Sequence, residues 1–146
     1  MPRTVIEIVE EEDMDMAALE RKKRFNNGSG VFALDDYGSG YNSEKCLLLL
    51  APKYIKVDLS IIRDIDTDVD KQQLVLNLVD YAHKRDMKIV AEGLENAAEL
   101  KKVLELGVDL LQGFYLARPM AEPASVNPAA LSVIAAFHNG RKNSDK

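Results

Sequence analysis

Short apolar runs recur along the chain, and almost every one is followed at once by a charged or amide side chain. Thr4-Val5-Ile6-Glu7-Ile8-Val9-Glu10 is rich in β-branched residues and predicts a strand. Val31 to Leu34, Tyr54 to Asp58, Met87 to Ala91 and Val108 to Leu111 predict four more. The stretches between them carry helical spacing. Asp13 can cap a helix over Met14 to Arg24, with Met16, Leu19 and Phe25 turned inward, and Asn26-Asn27-Gly28-Ser29-Gly30 stops it. Ser43 can cap a short helix over Glu44 to Leu50, ended by Ala51-Pro52, and Ser60 to Ile65 predicts a single turn. Asp68 or Val69 to Arg85 is the clearest helix, with Leu74, Val75, Leu78, Val79 and Ala82 on one face. His83 lies in its last turn, where an interaction with the helix end is expected. Asn96 can cap a helix over Ala97 to Leu106 that stops at Gly107, and Pro128 to Phe137 predicts a closing helix. Beyond it, Asn139 to Lys146 is a polar tail expected to fray.

Strand and helix thus alternate, with crossovers long enough for parallel pairing, which predicts a parallel α/β sheet. Glu7, Asp35, Asp36, Lys56, Glu92 and Gln112 all fall near or just past the C-terminal end of a predicted strand. In a (β/α) barrel those ends converge on one mouth, where chemistry is done. An open parallel sheet would collect them on one edge as well, so periodicity alone does not choose the barrel.

Composition narrows the class without changing the fold. At 146 residues, 47% hydrophobic and 29% charged, the chain is an ordinary globular domain. It has no apolar run long enough to cross a membrane, and Met1-Pro2-Arg3-Thr4 does not open a signal peptide, so no membrane insertion and a cytoplasmic location are expected. The net charge of −5 argues against a nucleic-acid polymer as partner. Cys46, the single cysteine, sits in an apolar run and is expected to pack in the core, and two distant histidines, His83 and His138, make a zinc site a poor fit.

The chemistry concentrates at Asp35-Asp36-Tyr37-Gly38-Ser39-Gly40. Successive strand side chains point to opposite faces, so both carboxylates can share one site only if the strand ends there and the backbone turns, which Gly38 and Gly40 permit. Two such close carboxylates repel unless a cation lies between them, and a hard divalent ion held by oxygens is the usual solution. Solvated turn chemistry is the plain alternative. Lys56 inside an apolar strand is either paired or extended to the surface.

These residues carry a family resemblance. Asp35-Asp36-Tyr37-Gly38-Ser39-Gly40 resembles the DDFGTG motif of EAL-domain cyclic di-GMP phosphodiesterases. Lys56-Val57-Asp58 is similar to their KID, Ala91-Glu92-Gly93-Leu94-Glu95 to their AEGVE, and Gln112-Gly113-Phe114-Tyr115 to their QGY, with Arg118-Pro119 following as KP or RP does there. Glu7-Ile8-Val9-Glu10 resembles their ExTE strand with valine for threonine. The matches keep the family's order from about Val5 to Pro119. The resemblance implies a TIM-like barrel that hydrolyses one phosphodiester bond of cyclic di-GMP, using two Mg²⁺ or Mn²⁺ ions, to linear pGpG. It implies metal ligation by Glu7, Asp35, Asp36 and Gln112, with Asp35 bridging the ions. It implies that Lys56 orients the attacking water, that Glu92 acts as base or water-mediated ligand, that Glu10 and Glu95 support, and that Arg118 contacts substrate.

The departures from the family have consequences of their own. The EAL strand with its metal-binding glutamate and a later strand with a metal-binding asparagine are absent from the sequence. A complete (β/α) barrel takes roughly 250 residues and eight strands, whereas about five strands are predicted here. An incomplete EAL-type barrel over residues 1–138, with 139–146 as tail, is therefore the expected architecture. Its open sheet edges predict a homo-oligomer or a need for the missing segment. Loss of ligands predicts weakened metal affinity and impaired hydrolysis, and the alternative is a degenerate module for cyclic di-GMP binding or protein interaction.

Overall fold

The computed structural model describes residues 5–9, 17–18, 20–21, 31–40 and 43–144. Among these, five strands pair in parallel and in chain order: β1 (Val5–Val9), β2 (Val31–Tyr37), β3 (Tyr54–Val57), β4 (Lys88–Ala91) and β5 (Leu110–Leu111). The order is that of consecutive strands in a barrel wall, but the sheet is not closed, and β1 and β5 form its edges among the described residues. Five helices lie wholly within the described residues: α1 (Ser43–Leu50), α2 (Leu59–Ile62), α3 (Val69–His83), α4 (Ala97–Glu105) and α5 (Pro128–Ser144).

The central strands are apolar because both faces are covered. Leu34, Ile55, Val57, Ile89 and Ala91 are fully buried and pack in one core with Ile62, Ile65, Val75, Val79, Leu100 and Val103, and Cys46 joins them as expected. At the edge the burial fails: Ile8 alone of β1 is buried, while Val5, Ile6 and Val9 are exposed. Helix starts follow their caps. The Asp68 carboxylate accepts from the amides of Asp70 and Lys71, both at 3.0 Å, and the Asn96 side chain accepts from those of Ala98 and Glu99, both at 2.9 Å.

Several expectations need correction. Leu74 is 45% exposed, because the buried stripe of α3 runs through Val75, Leu78, Val79 and Ala82 and leaves Leu74 on its rim. His83 lies in the last turn of α3 as expected, and its Nε2 also lies 2.9 Å from Asp109 Oδ2, a partner the sequence did not suggest. The closing helix does not stop at Phe137 but continues to Ser144 through most of the predicted tail. Of the helix expected over Met14–Arg24, residues 17–18 and 20–21 are described, as helix. Asn26–Gly30 lies outside the described residues. Among those described, no helix is long and apolar enough to cross a membrane.

Candidate metal centre

β2 delivers the acidic pair by a route the sequence did not suggest. The strand was expected to end at Leu34, yet it continues to Tyr37 and pairs with β3 in a register that shifts between Leu34 and Tyr37. Asp36 lies within this irregularity with φ +54°, a left-handed conformation that aspartate tolerates better than most residues. The alternation of side chains is thereby broken inside the strand, and the turn follows afterwards, closed by the Ser39 amide on Asp36 O at 3.0 Å. Carboxylate oxygens of Asp35, Asp36 and Glu92 all lie within 4.8 Å of one another. Gly38, at φ +100°, presses against Ile61 so closely that a Cβ would clash with its side chain.

β3 and β4 supply the opposite charge and the third carboxylate. Lys56 Nζ is 2.7 Å from Asp35 Oδ1, 3.0 Å from Glu92 Oε1 and 3.3 Å from Glu7 Oε1, so this lysine is paired and does not reach out to solvent. Its side chain is only 13% exposed. Burial pushes the Lys56 ammonium down, but hydrogen bonds and charge from Asp35 and Glu92 outweigh this and hold it above the ordinary lysine range. Burial raises Glu92, and the charges of Asp35 and Asp36 raise it further, against a lowering by Lys56. Burial likewise raises Asp36, together with Asp35, Asp58 and Glu7. Three carboxylates, those of Glu7, Asp35 and Glu92, pair with this single ammonium and Asp36 stands beside them, so the site holds more carboxylates than its protein cation balances.

The other candidates divide. Glu7 contacts Lys56 but stands outside the carboxylate trio, with its side chain 52% exposed on the edge strand. Gln112 follows β5, its amide bonded to Ala91 O at 2.8 Å, and its side of the site opens into a cleft of about 490 Å³. Leu59, Glu95, Phe114, Arg118, Met120 and Glu122 also line this cleft. Arg118 stands over the Phe114 ring at 4.8 Å, and Glu95 is turned aside to Arg63 at 2.7 Å. Glu10 lies outside the described residues.

An all-oxygen donor set carrying excess negative charge fits a hard divalent cation. Asp35 and Asp36 would hold it, with Glu92 beside them directly or through a water, and Lys56 as the protein's own counter-charge. Sequence reasoning missed Glu99, a buried carboxylate behind this site, although Asn96-x-x-Glu99 has the spacing of a capping box. It also missed the role of Asp58, which caps α2 by accepting from the Ser60 amide at 2.8 Å.

Comparison with known proteins agrees with this geometry. The profile of the EAL domain matches residues 2–119. The cyclic di-GMP phosphodiesterase PdeR of Escherichia coli K12 is 34% identical over 73% of this chain, which spans 16% of that protein. A standalone EAL protein from Vibrio cholerae O395, solved in a c-di-GMP-bound form, superposes with a TM-score of 0.80 at 31% identity, covering 87% of this chain and 55% of that one. BlrP1 of Klebsiella pneumoniae, solved as a manganese and cyclic di-GMP complex, gives a TM-score of 0.72 at 32% identity over 79% of this chain and 30% of its own. Strand order, the acidic cluster around Lys56 and the matched span together mean that this chain, a partial one, belongs to the EAL domain family.

Proposed function

We propose that the chain carries the metal- and substrate-binding wall of a cyclic di-GMP phosphodiesterase, which hydrolyses one phosphodiester bond to give linear pGpG. The observation that supports this reading most is the carboxylate trio Asp35, Asp36 and Glu92, with Lys56 Nζ paired to Asp35 and Glu92. Divalent ions bound by Asp35, Asp36, Glu7 and Gln112 would supply positive charge and a more acidic water; Mg²⁺ and Mn²⁺ both suit such oxygens. In hydrolysis a water oxygen bonds to phosphorus, one P–O ester bond breaks, and the departing oxygen takes up a proton. Glu92, as base or water-mediated ligand, would take up the water's proton, and the Lys56 ammonium paired with it would orient that water and offset charge gathering on the phosphate. Glu95 and Glu10 support the loops, and Arg118 and Phe114 offer a cation and a ring face to substrate in the adjoining cleft. Residues 1–138 form the domain in this reading, with 139–146 as its tail, acting in the cytoplasm.

A second reading, a module that binds cyclic di-GMP or a partner protein without hydrolysis, is favoured by the open sheet. Glu7 sits half exposed on β1, an edge of the sheet among the described residues, where a further strand or a second copy of the chain would enclose it. Chromatography of cyclic di-GMP after incubation with the chain and Mn²⁺ separates the two. Linear product that disappears with Asp35→Asn supports hydrolysis; unchanged substrate with measurable binding supports the module.

A further inference from the structure

Glu99 is the one charged residue buried in the described core, 2% exposed, and it forms no ion pair among the described residues. Its two oxygens instead accept two backbone amides from separate segments: Asp64 N reaches Oε1 at 3.1 Å and Glu95 N reaches Oε2 at 2.9 Å. Those segments are the ones that begin at the candidate site. One leaves β3 after Val57, next to Lys56, and runs through α2 to Asp64; the other leaves β4 at Glu92 and runs to Glu95. At the near end they are joined by Lys56 Nζ to Glu92 Oε1 at 3.0 Å and by Glu92 N to Val57 O at 3.2 Å. At the far end Glu99 joins them. Asp64 is held there with φ +59°, in a left-handed conformation.

We propose that Glu99 is a positioning residue for Glu92: a far-end pin that fixes the Glu92–Glu95 segment against the Lys56–Asp64 segment and so sets where the Glu92 carboxylate stands. Resting as it does on the metal-site reading for its purpose, the pin itself is a property of the backbone. The geometry suits a carboxylate, because the two N–H donors approach separate oxygens of Glu99. An amide of the same shape offers one oxygen and turns an NH₂ toward the second donor.

Glu99→Gln therefore tests it, with Asn96→Ala as control. The control weakens the start of the same helix through the Ala98 and Glu99 amides but leaves the amides of Asp64 and Glu95 with their acceptors. Amide hydrogen exchange by NMR needs no metal: Glu99→Gln should lower protection about tenfold at Asp64, Glu95 and Glu92 together, and Asn96→Ala should not. Loss confined to Asp64 and Glu95 with Glu92 unmoved, or an equal loss at Glu92 in the control, overturns the proposal. Calorimetric titration with Mn²⁺ adds a second readout, with affinity expected to fall about tenfold in Glu99→Gln only. Wild-type chain that takes up no Mn²⁺ would sink the metal reading, and the exchange data would still decide the pin.

Discussion

Lys56 Nζ lies 2.7 Å from Asp35 Oδ1, and this contact joins the middle of β3 to the acidic bulge of β2 across the only register irregularity between those strands. Both side chains are largely buried, so the pair balances charge that water reaches only in part. Removing one partner from a fully buried pair costs about 3–5 kcal/mol, because the other charge is left uncompensated.

Lys56→Met should accordingly destabilise the metal-free chain by about 2 kcal/mol, somewhat less than a fully buried case because a path to solvent remains. Three carboxylates lose their common cation in this variant. Mn²⁺ should then raise its melting temperature more than it raises that of the wild type, and thermal melts with and without metal check this. An equal metal shift in both would mean that Lys56 and the cation do not share the same charges.

Asp109 predicts an acid limb of stability far from the acidic trio. Burial raises its carboxyl, but bonds from Lys88 Nζ at 2.7 Å, the Ile89 amide at 2.9 Å and His83 at 2.9 Å prevail and hold it below the usual aspartate range. A depressed folded pKa contributes stability that is complete above the unfolded value, about 4, and is lost as pH falls through the folded value. Denaturant melts between pH 6 and pH 2, taken as rough bounds around that range, should show this loss, and Asp109→Asn should flatten it while lowering stability at neutral pH.

Gly113→Ala should remove more than a small side chain's worth of stability. A Cβ there would collide with the backbone N and O of Leu94, and backbone cannot move aside as a side-chain tip can. Leu94 is fully buried and its amide bonds Gln112 O at 3.1 Å, so relief of the clash must shift Gln112 or the Glu92–Glu95 segment. A loss of about 1–3 kcal/mol in equilibrium unfolding is expected, with Gly140→Ala, whose added Cβ would meet no neighbouring side chain or segment within 4 Å, as the tolerant control.

The sequence made the parallel α/β class legible because apolar runs and helical stripes carry their own periods, and it made Lys56, Asp35 and Glu92 legible because charged residues beside buried strands need partners. The geometry of the pair at Asp35 and Asp36 was not legible. Alternation required the strand to end, whereas the fold keeps the strand to Tyr37 and turns Asp36 left-handed inside it. Only ladder pairing shows such a bulge. Glu99 hid for a related reason: its partners are backbone amides at Asp64 and Glu95, and no residue type in the sequence announces an amide that needs an acceptor. Leu74 misled by lying one helical step from a true core position, Val75.

Asp36 separates the two roles of the acidic trio, stability and cation binding, because they oppose each other. Its carboxyl is partly withdrawn from water and faces Asp35, Asp58 and Glu7, and Lys56, the nearest cation, is committed to other oxygens. Without metal at neutral pH its negative charge is therefore a liability, and Asp36→Asn should leave the metal-free chain as stable as the wild type or more so, by up to about 1 kcal/mol. With metal the sign reverses. A cation that binds only the folded chain stabilises it in proportion to the logarithm of its concentration over Kd, so loss of a charged ligand shrinks the shift. Melts at increasing Mn²⁺ should rise steeply for wild type and stay nearly flat for Asp36→Asn, so that the two curves cross. Curves that run parallel would place the cation elsewhere than between Asp35, Asp36 and Glu92.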